Sequence, residues 1–284
     1  MRHRILIPTD FSKNAWHAIK YALELYKHEY CNFYILNVFS ASNNIIDSLL
    51  NLGPGSELYE TAKLESENGL AKVLNMIAFT NYDNQKHHFE TISSFNNVVE
   101  AIKNSVDEKN INLIIMGTKG KTGSRKIMYG STAINVMEKV RNCPVIVVPE
   151  KAAIKLPKEI VFPTNYKTTL KQEDLRHLIY IAKNCKASIE ILHISEKEGL
   201  DTKQLSNKKL LHVSFNGVNN AFHKLSTMDI ATAINCFAES RGSDMVAFIN
   251  KKHIFFGSIL THPLVKKLGY NSKIPILVMH DSQN

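Results

Sequence analysis

The sequence predicts an α/β protein built as two tandem open, mostly parallel five-stranded sheets with helices on both faces. Three observations carry this. Short apolar runs alternate with helical periodicity, the whole pattern is written twice, and a glycine-rich stretch follows the fourth apolar run of the first copy. Ile5-Leu6-Ile7-Pro8-Thr9-Asp10-Phe11 returns as Ile160-Val161-Phe162-Pro163-Thr164-Asn165-Tyr166, and Ile35-Leu36-Asn37-Val38 returns as Ile191-Leu192-His193-Ile194. Cys143-Pro144-Val145-Ile146-Val147-Val148 matches Ile274-Pro275-Ile276-Leu277-Val278-Met279. The offset falls from 155 (163 − 8) to 131 (275 − 144), so the second copy has lost 24 residues, all from its middle. The repeat divides the chain into units 1–150 and 151–284, joined by a basic connector from Lys151 to Pro157.

Each element of the first copy has a local reason. Residues 4–8 form a short strand whose apolar run after Arg4, Ile5-Leu6-Ile7-Pro8, is what burial on both faces requires. Ser12 can cap a helix over 13–28, with Trp16, Ile19, Ala22, Leu23 and Leu25 at helical spacing. Residues 32–38 make a second strand, and Gly53-Pro54-Gly55 breaks the chain before a helix over 57–79. A third strand at 87–92 and a third helix at 95–108 follow. The fourth strand is Leu113-Ile114-Ile115-Met116, the last helix begins near Ser131, and Val145 to Val148 close the unit. Right-handed crossovers give an open, mostly parallel sheet, and with a strand order of 3-2-1-4-5 the glycine-rich stretch after the fourth strand lies past the carboxyl ends where the order reverses and ligands bind.

Composition narrows the class. The chain has 284 residues, 44% hydrophobic and 21% charged, an ordinary globular balance for two domains. No apolar run approaches the roughly 18 residues of a membrane span, and four residues before the first strand leave no room for a signal peptide. A cytoplasmic location with no membrane partner is the expectation. Residues 1–150 hold 16 basic against 15 acidic side chains, and residues 151–284 hold 19 against 11. No basic run alternates with aromatics, so the surplus reads as a solvated lysine surface and nucleic acid is not expected as a partner. Cys31, Cys143, Cys185 and Cys236 form no metal or redox spacing and are expected as reduced thiols, most of them buried in or beside strands. His193, His212, His223 and His262 share no metal-like spacing.

The chemistry lies after the fourth strand, in Gly117-Thr118-Lys119-Gly120-Lys121-Thr122-Gly123 and on to Tyr129-Gly130-Ser131-Thr132. Glycines let backbone N–H groups approach an anion, and the helix opening at Gly130 favours phosphate at its N-terminus. A Walker A loop would need glycine where Ile115 stands, and a dinucleotide fingerprint would need it at Lys119. The spacing that is present, G-x2-G-x9-G-[ST] at Gly117, Gly120, Gly130 and Ser131, resembles the ATP-binding class of the universal stress protein family. Pro8-Thr9-Asp10-Phe11-Ser12 is similar to that family's first-strand motif, and the duplication to its tandem members.

The resemblance implies roles residue by residue. Thr9 and Asp10 would lie at the adenine end, where the Val38 backbone reads the adenine edge, with Met116 and Gly117 along the nucleoside. Gly120, Gly130, Ser131 and Thr132 would hold the phosphates of ATP, with magnesium alongside. Lys119, Arg125 and Lys126 stand in the same loop and could add charge. The implied function is a cytoplasmic ATP-binding stress regulator acting on a protein partner. The halves would pair through Val145–Val148 and Ile276–Met279 as an internal pseudo-dimer, and the chain as a possible homodimer. A slow ATPase and a nucleotide-independent scaffold are the alternatives. No carboxylate lies between Gly117 and Glu138, which argues against efficient hydrolysis.

The second copy departs from the motif. Ile249 stands opposite Gly117, Lys252 opposite Gly120 and Asn165 opposite Asp10, while Gly257-Ser258 falls too close to its strand. This half is expected not to bind ATP, with His253, Phe255 and Phe256 forming an apolar plug over the vacant site.

Overall fold

A computed structural model describes residues 2–40, 54–80, 84–118, 130–196, 198–226, 229–250 and 273–281. The first half runs β1 (His3–Pro8), α1 (Lys13–Leu25), β2 (Cys31–Phe39), α2 (Glu57–Phe79), β3 (His87–Phe95), α3 (Val98–Lys109), β4 (Leu113–Gly117), α4 (Ser131–Lys139) and β5 (Val145–Val148). The second runs β6 (Glu159–Thr164), α5 (Gln172–Cys185), β7 (Ser188–Ile194), α6 (Thr202–Ser214), β8 (Asn220–Leu225), α7 (Ile230–Arg241), β9 (Met245–Asn250) and β10 (Ile276–His280).

Local chemistry sets the helix ends. Ser12 caps α1, its hydroxyl accepting from the Ala15 N–H, and the helix stops at Leu25, three residues short of the expected end. The third strand runs on to Phe95 because Asn97, not an earlier residue, caps α3 through the Val99 N–H. The missing length of the second copy is visible here. Residues 195–201 stand where 40–56 stand in the first half, and α6 has 13 residues against 23 in α2.

The sheet is one body of ten strands in the order β3-β2-β1-β4-β5-β10-β9-β6-β7-β8, so the two expected five-stranded sheets are halves of a continuous one. Within each half all pairings are parallel. Among the described strands the junction alone is antiparallel, with Ile276 opposite Val147, Leu277 opposite Ile146 and Val278 opposite Val145. Alternation along each strand feeds two cores: Ile5 and Ile7 pack under α1 and α2, with the α5–α6 layer on the same face, while Leu6 packs with α3 and α4 on the face that also carries α7.

The cysteines divide more evenly than expected. Cys31 and Cys143 are buried, Cys185 at the end of α5 is half-buried, and Cys236 is exposed on α7 because it lies off that helix's inner stripe. Burial pushes the Cys31 thiol up to about 12 and that of Cys185 to about 11, which keeps both protonated. No helix among the described residues is long and apolar enough to cross a membrane.

Because Leu277 is fully buried at the only antiparallel joint described, Leu277→Ala should cost about 2–5 kcal/mol through the cavity it leaves. The urea midpoint measures this, and an unchanged midpoint would mean that the junction carries little of the stability.

Candidate functional site

Strand order reverses between β1 and β4, because β1 pairs with β2 on one side and β4 on the other. The chain leaving β1 is fixed there by a compact set of bonds. The Thr9 N–H donates to Leu36 O at 2.8 Å, and Thr9 O accepts from Asn37 Nδ2 at 2.7 Å. The Thr9 hydroxyl accepts from the Phe11 N–H, and the Asp10 carboxylate accepts from the Ser12 N–H, both at 3.1 Å. These contacts hold Phe11 at φ 64°, a left-handed conformation that a bulky side chain adopts only under such constraint.

Beyond the turn lies a cleft of about 800 Å³. Thr9, Asp10 and Val38 form its strand-end wall, Trp16 stands on the α1 side, and Ser66 and Lys72 stand on the α2 side. Phe11 lies against α2 at Gly69, where a Cβ atom would come within 2.5 Å of the ring, so only glycine admits that packing. Ser66 Oγ is 2.7 Å from Ser93 Oγ, which ties the α2 wall to β3.

The second group of expected residues gathers at the end of β4. Gly117 faces the start of α1 so closely that a Cβ would stand 2.9 Å from Asn14 Nδ2 and 3.1 Å from its backbone carbon. Asn14 Nδ2 donates to Thr118 Oγ1 at 3.0 Å, a buried bond joining the start of α1 to the end of β4. The Gly130 N–H donates to Thr118 O at 2.7 Å, so the chain returns after residues 119–129 to the point from which it left. Gly130 is the N-cap of α4 and offers no side-chain cap, and Ser131 and Thr132 sit exposed in the first turn. That geometry suits an anion on backbone N–H groups. Met116 is 5% exposed and packed in the α3–α4 core, and neither it nor Gly117, Gly130, Ser131 or Thr132 is among the residues lining the cleft. Gly120, with Lys119, Arg125 and Lys126, lies outside the described residues.

Asn14, Asn37, Gly69 and Thr118 complete this region and were not singled out from sequence. Gly69, inside an otherwise helical stretch, carried a usable signal, because interior glycine costs a helix stability unless something needs the space.

The second half repeats the turn atom for atom. Thr164 Oγ1 accepts from the Tyr166 N–H at 3.1 Å, Asn165 Oδ1 accepts from the Lys167 N–H at 2.9 Å, and Tyr166 has φ 56°. His193 replaces Asn37, its Nδ1–H donating to Thr164 O at 3.0 Å. The outcome differs. The Tyr166 ring stacks on His193 at 4.9 Å, and Asn207 Nδ2 donates to Tyr166 O, where the first half has Phe11 lying on Gly69. At the end of β9, Asn250 Nδ2 donates to Met137 O of α4, and Arg141 donates to Asn250 O and to Asp281. Lys252, His253, Phe255, Phe256, Gly257, Ser258 and His262 lie outside the described residues, and so does the plug expected there. The described residues hold no cluster of metal-binding side chains.

His280 closes β10 in register with Asn250. Burial, reinforced by the Arg141 charge, lowers its pKa from 6.5 to about 4. The folded chain therefore holds a neutral imidazole, while the unfolded chain takes up a proton near pH 6.5. The resulting stability is complete above that pH and is lost as the pH falls toward 4. His280→Gln should flatten the pH dependence of unfolding over this window, by on the order of 3 kcal/mol at its acid end. An unaltered slope in urea titrations would remove His280 as its source.

Comparison with known proteins adds the following. The model of the Universal stress protein family matches residues 1–149. A universal stress protein of Methanocaldococcus jannaschii is 32% identical over 145 residues, which cover 51% of this chain and 81% of that protein. A second from the same organism is 30% identical over 160 residues, covering 53% and 97%. Among solved structures, a universal stress protein from Archaeoglobus fulgidus superposes with a TM-score of 0.72 at 17% identity, over 98% of both chains. A putative universal stress protein from Pseudomonas aeruginosa gives a TM-score of 0.61 at 11% identity, over 98% of this chain and 93% of that one. At those identities the superpositions establish the fold.

Proposed function

The chain belongs to the universal stress protein family, and on that premise we propose that it binds one ATP with magnesium in its first half and serves as a cytoplasmic stress-response regulator. The observation that supports this most is that the buried Asn14–Thr118 bond ties the start of α1 to the end of β4, where the Gly130 N–H also returns, at the β1–β4 switch point. In this reading residues 1–150 are the nucleotide-binding unit and residues 151–284 its degenerate partner.

The residues present fit the ligand. Glycine at 117 permits an approach of chains that a Cβ would block, and Gly130 leaves the first turn of α4 without a side-chain cap. Thr9, Asp10 and the Val38 backbone bind the adenine and ribose end. Gly120, Gly130, Ser131 and Thr132 orient the phosphates through N–H groups and hydroxyls. Magnesium, held there with the phosphates, would supply positive charge against them. Between Gly117 and Glu138 the sequence offers no carboxylate or histidine to position an attacking water. The role is therefore occupancy-dependent: ATP stabilises the conformation it binds and so biases the surface shown to a protein partner or a second copy of the chain.

The test is to denature freshly purified protein, identify released nucleotide by chromatography, and titrate the emptied protein with ATP and magnesium. One ATP per chain is expected in the wild type and none in Gly130→Glu, with a stabilisation of about 2.7 kcal/mol at a hundredfold excess over Kd. Two per chain would make the second half a binding unit. No release and no affinity at millimolar ATP would overturn the reading in favour of a nucleotide-independent scaffold.

A further inference from the structure

The continuous sheet ends in β3 on one side and β8 on the other. One helix guards each end: α2 packs over β2 and β3, and α6 meets β8 through His212, whose ring stacks on Phe222 at 5.8 Å. The two helices are equivalents in the repeat and lie against the same core, yet their outer surfaces carry opposite charge. α2 holds Glu57, Glu60, Glu65 and Glu67 against Lys63 and Lys72, a balance of −2. α6 holds Lys203, Lys208 and Lys209 and no acidic residue, a balance of +3. None of these side chains makes an ion pair among the described residues.

The same two helices concentrate exposed apolar surface. Seven of the ten large apolar side chains that stand exposed among the described residues lie on them, four on α2 and three on α6. α1 and α5, which cover the middle of that face, contribute none. Single exposed apolar residues are ordinary, but a concentration at the two ends of one sheet marks contact surfaces.

Helical spacing aims both surfaces outward. Ser66, Leu70, Val73 and Ile77 take the buried stripe of α2, and Glu65, Lys72 and Met76 line the cleft on its α1 side. Glu60, Leu64 and Glu67, four and three residues apart, therefore share the side that faces away from α1, at the end of the sheet. On α6, Asn207 and Leu211 are buried, and Leu205, Lys209 and Val213 follow at spacings of four on the solvent side. Lys208 Nζ lies 5.3 Å over the Phe222 ring, which turns the basic flank of α6 toward β8. One end thus offers leucine between carboxylates, and the other an ammonium between apolar side chains.

We propose that the chain associates with copies of itself end to end, the α6–β8 end of one copy docking on the α2–β3 end of the next. The Leu205–Lys209–Val213 stripe meets the Glu60–Leu64–Glu67 stripe, so that apolar side chains are buried and unlike charges face each other. Strand direction suits this arrangement. Because the halves join antiparallel, a copy set beside another in the same orientation brings its β8 antiparallel to β3, as β10 meets β5. The two surfaces differ, so each added copy leaves one free end of each kind and assembly continues past the dimer.

Sedimentation velocity of the full chain over a concentration series, at low and at high salt, tests this. The mean mass should climb past that of a dimer, and salt should lower it. Lys208→Glu/Lys209→Glu takes the α6 balance from +3 to −1, and Glu60→Lys/Glu67→Lys takes that of α2 from −2 to +2. Each variant alone should associate at least about tenfold more weakly, and mixing the two should restore assembly, because unlike ends then meet again. Urea midpoints confirm that both variants are folded. A monomer at every concentration would overturn the proposal. So would a mass that stops at the dimer and ignores both variants, which would place the contact on another surface, or a mixture of folded variants that assembles no better than its parts.

Discussion

The antiparallel pairing of β5 with β10 is the constraint on which the rest of the molecule depends. Each half is a parallel sheet that would otherwise end in an exposed, wholly apolar edge strand: Val145 to Val148 in one, Ile276 to Met279 in the other, all at most 2% exposed. Pairing them removes both edges and turns two sheets into one. It also fixes which surfaces meet. Equivalent helices fall on the same face, with α1 over β5 and α5 over β10, and Tyr180 of α5 reaches His3 of the first half.

The two copies of the turn after the first strand show how one backbone solution can serve different ends. Threonine, an Asx-type acceptor and a left-handed aromatic recur with the same bonds in both. The difference arises one layer out. In the first half Gly69 gives the Phe11 ring a seat on α2, and an open volume remains over Val38. In the second, α6 is shorter and presents Asn207, which holds the Tyr166 backbone while the ring covers His193. Burial of that imidazole lowers its pKa, and the Nδ1–H bond to Thr164 fixes its tautomer. A polar side chain and a stacked ring thus stand in the second half where the first has the Phe11 ring seated on Gly69.

Much of this was legible in the sequence because the signals were local or repeated. Apolar runs indicated the strands, Ser12 the start of α1, and the duplicated Pro-Thr-Asp/Asn-aromatic segment the division of the chain into two like halves. What stayed hidden was pairwise and distant. Nothing in the composition of α2 says that Gly69 must receive the ring of Phe11, and Asn14 meets Thr118 across 104 positions of chain. Alternation along β4 also separates two neighbours that the sequence pattern grouped, turning Met116 into the α3–α4 core while Gly117 faces α1.

The short helix α4 joins these threads. Its first turn opens at Gly130, where the proposed phosphates would rest, and near its other end the Met137 carbonyl accepts from Asn250 of the second half. Two residues past the helix, Arg141 donates to the Asn250 carbonyl and to Asp281. Nine residues at 1.5 Å each make a rod of about 14 Å, stiff on this scale and packed by Ala133, Ile134, Val136 and Met137 against the core. Movement at the N-terminus therefore cannot be absorbed within the helix and must appear at Asn250 or be resisted there. A ligand that binds one position of α4 better than another would bias that contact by its differential affinity and no more. The second half need not bind nucleotide to take part, since its β9 end already rests on the same rod. On this view the loss of the glycine motif from the second copy is compatible with keeping that copy as the element that senses where α4 lies.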